Sequence, residues 1–80
     1  MQIRISNLPP GIAEEEVKAL LDNIEEIGVI RFTDVGDPEN VVAWVEVNLT
    51  RVQADAIAEI LNGRKWKDRS LQAYAALYLK

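Results

Sequence analysis

Residues Gln2 to Asn7 alternate, with Ile3 and Ile5 on one side of an extended chain and Gln2, Arg4 and Ser6 on the other, which predicts a short strand. Leu8-Pro9-Pro10-Gly11 ends it, because two prolines withhold ladder N–H groups and Gly11 accepts a turn. The spacing then lengthens to three and four. Val17, Leu20, Leu21 and Ile24 make one apolar stripe of a helix over about Ala13 to Asn23. Glu14, Glu15 and Glu16 fill its first turn, where carboxylates meet the positive end of the helix dipole, although Ala13 has no side-chain oxygen to act as a cap. Alternation returns from Ile27 to Val35, with Ile30 and Phe32 facing in and Val29, Arg31 and Thr33 facing out. Gly36-Asp37-Pro38-Glu39-Asn40 is turn chemistry, and Val41 to Asn48, rich in valine and holding Trp44, is the next strand; the two strands form an antiparallel hairpin. Thr50-Arg51-Val52-Gln53 fits a capping box. The helix it opens places Ala54, Ile57, Ala58 and Leu61 on one face and stops at Asn62-Gly63. Arg64 to Ser70 reads as a basic turn and Leu71 to Leu79 as the last strand.

The predicted order is β-α-β-β-α-β. That is the split βαβ, ferredoxin-like α+β plan, a four-stranded antiparallel sheet with two helices on one face. The right-handed crossover rule leaves few alternatives. One sheet face is covered by helices and the other stays open. Alternation puts Arg4, Arg31, Thr33, Val42, Trp44, Glu46, Gln72 and Tyr74 on that open face.

Composition narrows the chemistry. Eighty residues have room for one domain, spanning 1–80, with a single thin core. There is no cysteine and no histidine, so disulfides, thiolate zinc sites, cysteine nucleophiles and Ser-His-Asp triads are all excluded. The acidic pairs Glu14/Glu15 and Glu25/Glu26 are adjacent rather than convergent, and the four glycines make no phosphate-loop spacing. The expectation is a non-catalytic protein without metal or cofactor. Charges interrupt every apolar run well short of the roughly 20 residues a membrane span needs, and no export signal follows Met1, so a cytoplasmic protein with no membrane partner is expected. Asn48-Leu49-Thr50 matches a glycosylation triplet, which is idle without export. The net charge of −4, nine basic against thirteen acidic residues, gives no general pull toward phosphate.

Two segments resemble the RNA recognition motif family, whose first-strand hexamer runs aliphatic, aromatic, aliphatic, any, Asn, Leu. Here Ile3-Arg4-Ile5-Ser6-Asn7-Leu8 stands in that place. The family's third-strand octamer runs Lys/Arg, Gly, aromatic, Gly/Ala, Phe, Val, any, aromatic; here it reads Asn40-Val41-Val42-Ala43-Trp44-Val45-Glu46-Val47. Glu14-Glu15-Glu16-Val17 and Leu61-Asn62-Gly63 add to the resemblance, which covers essentially the whole chain. It implies single-stranded RNA lying across the open sheet with bases stacked on aromatic residues. The three usual stacking positions hold Arg4, Val42 and Trp44, so one ring remains and a guanidinium plane stands in for a second. Asn40 replaces the octamer's leading basic residue.

The RNA-contact residues expected on this basis are Arg4, Asn7, Arg31, Val42, Trp44, Lys65, Lys67, Arg69, Gln72 and Tyr74. Trp44, Arg4 and Tyr74 would meet bases. Arg31, Lys65, Lys67 and Arg69 would meet phosphates, giving weak, steeply salt-dependent binding. Bland readings stand beside these. Trp44 and Arg4 form a cation–π pair that only shields the sheet, Trp66 packs into the core, and Arg64 to Arg69 is a solvated turn. Tyr78 and Leu79 cover the sheet as an extension of the chain. The alternative function is a protein-interaction module of the same fold, meeting a protein partner or a second copy through the Glu-rich helix face or through Val29, Val42 and Trp44.

Overall fold

The computed structural model describes residues 1–21, 27–34 and 36–76. The expected helical end at Ile24, the acidic residues Asp22, Glu25 and Glu26, the strand end at Val35, and Tyr78 and Leu79 lie outside the described residues. In chain order the elements are β1 (Gln2–Leu8), α1 (Glu14–Leu20), β2 (Ile27–Thr33), β3 (Val41–Val47), α2 (Arg51–Leu61), β4 (Lys65–Trp66), β5 (Arg69–Ser70) and β6 (Gln72–Ala76). Strands β2-β3-β1-β6, in that order, form an antiparallel sheet, and β4 pairs with β5. This α+β arrangement is consistent with the ferredoxin-like plan, with one departure. The segment expected to be a basic turn holds a two-stranded hairpin. Its loop, Lys67-Asp68, has φ of 50° and 63°, both left-handed, as a type I′ turn requires. No Asn-Gly or Asp-Gly pair marks it, and two residues per strand are too few for alternation to register.

Period-two alternation orders the sheet except at two bulges. Ile3 and Ile5 are fully buried, as expected. At Asn7 the backbone turns left-handed (φ 65°), a conformation asparagine accepts more readily than most residues, and the β1–β3 register shifts between Ile5 and Leu8. The extra residue reverses the parity of the strand, so Leu8 enters the core instead of joining Arg4 on the other face. Ser6, expected on the open face, is buried at this bulge, its Oγ 3.5 Å from the Gln72 carbonyl oxygen. A second shift, between Ile27 and Ile30 on β2, lets both isoleucines pack on the core while Val29 and Arg31 stay exposed.

The core is one cluster. Ile3, Ile5, Ala43, Val45, Val47 and Ala73 from the sheet meet Val17, Leu20 and Leu21 from α1 and its end, and Ala54, Ala58 and Leu61 from α2. Each large aliphatic side chain buried there stabilises the fold by roughly 1.5–3 kcal/mol. α2 packs mainly against β6, where alanines on both sides (Ala54, Ala58, Ala73) permit close approach. The capping box forms as expected: Thr50 Oγ1 accepts the Gln53 N–H at 3.2 Å, and Gln53 Oε1 accepts the Thr50 N–H at 3.1 Å. At α1 only half of that arrangement exists, with Glu16 Oε1 accepting the Ala13 N–H at 3.2 Å. Among the described residues no helix is long and apolar enough to cross a membrane.

Candidate nucleic-acid interface

Cross-strand register puts four of the expected residues in one row. Arg31 on β2 lies opposite Trp44 on β3, Trp44 opposite Arg4 on β1, and Arg4 opposite Tyr74 on β6. Directly opposed residues share a face, so at about 4.8 Å per strand the row crosses the sheet in roughly 14 Å. Arg4 lies over both rings, 5.6 Å from the Trp44 centroid and 5.5 Å from that of Tyr74. Trp44 is half-buried and Tyr74 is 49% exposed. Arg31 is exposed and makes no hydrogen bond or ion pair among the described residues. The shielding contact foreseen for Trp44 is therefore present. A cation–π pair at an exposed site contributes about 0.5–1 kcal/mol. Stacking of a base on an aromatic ring contributes about 1–3 kcal/mol, so Arg4 does not seal the indole against a base.

Other expected contacts are placed differently. Val42 lies opposite Thr33, outside the core cluster, yet only 3% of it is exposed, so it offers a ligand almost no surface. Gln72 is exposed on β6, opposite Ser6 and next along the strand face from Tyr74. Asn7 is a joint rather than a contact. Its N–H donates to Asn40 Oδ1 at 2.8 Å and its Nδ2 donates to the Ser70 carbonyl at 2.9 Å, tying β1 to the start of β3 and to the hairpin. The octamer's substituted Asn40 thus gains a structural task. Gln2 of β1, Arg31 and Thr33 of β2 and Trp44 of β3 line a shallow groove of about 230 Å³. Gln2 and Thr33 were not among the expected contacts, although alternation already placed both on this face.

The basic hairpin is largely committed to its own molecule. Arg69 Nη1 donates to the Glu39 carbonyl oxygen and, at 3.5 Å, approaches the Leu8 carbonyl and Asn7 Oδ1; its Nη2 lies 3.9 Å from Glu39 Oε2. Only 25% of the Arg69 side chain is exposed. Lys67 pairs with Glu16 on α1 and sits 4.8 Å from the Trp66 centroid, while Trp66 packs on the core as expected. Both cations run against their expected role as free phosphate contacts. Arg31 and Lys65 remain exposed and uncommitted among the described residues. The hydrogen bond from Lys67, helped by the one from the Ala13 N–H, holds the Glu16 carboxyl below the ordinary carboxylate range.

No protein-family model matches the chain, and no curated protein is significantly similar to it. Among solved structures, a crystal structure of RNA binding protein PG1 is similar, with a TM-score of 0.77 and 22% sequence identity, over 100% of this chain and 98% of that one. At that identity the likeness establishes a shared fold.

Proposed function

We propose that the chain is a non-catalytic RNA-binding module of the RNA recognition motif type, holding single-stranded RNA weakly across the open face of its ferredoxin-like sheet. The observation that carries this reading is the Arg31–Trp44–Arg4–Tyr74 row, two rings and two guanidinium groups aligned across four strands on the face away from the helices. The end-to-end likeness to an RNA binding protein supports it, as do the Asn-Leu and Leu-Asn-Gly segments at the family's spacing. Trp44 and Tyr74 stack on bases, Arg4 stacks as a plane or meets phosphate, and Arg31 and Lys65 supply positive charge. Two stacks of about 1–3 kcal/mol each, with few free cations, set an affinity in the high-micromolar to millimolar range.

The test is an amide-shift titration of labelled protein with a uridine hexamer at low salt. Shifts on β1 and β3 around Arg4 and Trp44, abolished by Trp44→Ala in a folded variant, are expected. A spectrum unmoved by millimolar RNA overturns the reading. A protein-binding role for the same fold draws on a separate observation. Val52, Ala56 and Ile60 stand exposed at four-residue spacing on the outer side of α2, an apolar stripe.

A further inference from the structure

We infer that the groove beside Trp44 is a single-base site that selects guanine, with Arg31 as the residue that reads it. The inference deepens the RNA-binding reading and rests on it.

The two halves of the row differ. On the β1–β6 side Arg4 already lies over both Trp44 and Tyr74, so a cation fills the space between the rings. Toward β2 the indole borders the groove lined by Arg31 and Thr33 of β2 and by Gln2 of β1. Its volume of about 230 Å³ falls below the roughly 300–1,000 Å³ of sites for drug-sized ligands, which suits one planar ring rather than two. A base resting on the indole here competes only with the Arg4 contact, worth about 0.5–1 kcal/mol.

The donor set then chooses among the bases. Arg31 lies directly opposite Trp44 and has no partner among the described residues, so the edge of a base resting on the indole meets a free guanidinium. A guanidinium is a planar fork of N–H donors with no acceptor. Guanine presents two adjacent acceptors, O6 and N7, to such a fork, and this bidentate pair is the commonest specific arginine–base contact. On the corresponding edge adenine sets a donor beside N7, cytosine presents an amino donor and uracil offers only the single O4 acceptor. Cytosine's own adjacent acceptors, O2 and N3, lie on its Watson–Crick edge, which makes the cytidine hexamer the strongest competitor in the test. The Thr33 hydroxyl and the Gln2 amide both donate and accept, so they accommodate the remaining edge of the ring.

Uridine hexamers carrying one central guanosine, adenosine or cytidine, together with the all-uridine hexamer, are titrated into the labelled protein at one low salt concentration. The guanosine hexamer is expected to bind about ten-fold tighter than the others, with its largest shifts at Arg31, Thr33 and Trp44. Arg31→Lys keeps the charge but not the fork, and it should bring the guanosine hexamer down to the level of the uridine one. Four hexamers of equal affinity overturn base selection while leaving RNA binding intact. A guanine preference that survives Arg31→Lys overturns the role of Arg31. Absence of binding by all four overturns both this inference and the reading beneath it.

Discussion

The open sheet face and the Lys65–Ser70 hairpin carry the same kinds of side chain and use them in opposite ways. Each has a tryptophan with a cation beside it, Arg4 at Trp44 and Lys67 at Trp66. On the sheet the neighbours Arg31 and Tyr74 are exposed, and Arg31 has no internal partner among the described residues. On the hairpin the ring packs on the core, and Glu16, Glu39 and the Leu8 carbonyl engage Lys67 and Arg69. The lesson concerns desolvation and pairing. A cluster of cations and aromatics forms a binding surface only where its polar groups still face water. Four of the nine basic residues lie between Arg64 and Arg69, yet two of those four join parts of the chain to one another.

The largest effect that tests this contrast is on stability. Arg69→Ala removes a charged donor from two backbone carbonyls and from Asn7, which should cost about 2 kcal/mol. In a domain of this size that lowers Tm by roughly 8–16 °C, while RNA affinity of the folded fraction stays as it was. An unchanged melt with weakened RNA binding would break the contrast. Trp44→Ala should do the reverse, weakening RNA binding by about 1–3 kcal/mol in a fluorescence titration and moving the melt by only a few degrees.

Much of this architecture is legible in the sequence because period-two and three-to-four spacings report burial directly. Ile3, Ile5, Ile30, Ala54 and Leu61 all lie where their spacing puts them. Alternation likewise places Arg4, Arg31, Trp44 and Tyr74 on one face. It fails at the bulges, where one added residue at Asn7 reverses parity and carries Leu8 inward and Ser6 out of reach. Pairing of the hairpin cations is hidden for another reason. Glu16 lies 51 residues from Lys67, and Glu39 lies 30 from Arg69, so no local pattern connects them. The same holds for Val42, whose parity is that of Trp44 but whose exposure depends on what surrounds it.

Salt gives a smaller and sharper test. On single strands each phosphate contact contributes about 0.7 to the slope of log Kobs against log salt, so Arg31 and Lys65 alone give about −1.4, whereas four free cations would give about −2.8. Titrations across a salt series separate the two values, and the steeper one would return the hairpin to the binding surface. The smallest effect concerns pH. The folded-state value for Glu16 lies below its unfolded one, so in acid the unfolded chain binds more protons and stability falls as pH drops. The contribution is complete above about pH 4.3 and is lost as pH falls through the folded value. Urea midpoints between pH 5 and pH 3 should therefore fall less in Glu16→Gln, which keeps the capping acceptor but not the ion pair, than in the unaltered protein.

The two indole N–H resonances decide the matter in one spectrum, because the chain has two tryptophans and the account gives them different roles. On adding a single-stranded RNA hexamer at low salt, the Trp44 indole signal should move while that of Trp66 holds still. A moving Trp66 beside a stationary Trp44 would place the ligand on the hairpin and contradict the account.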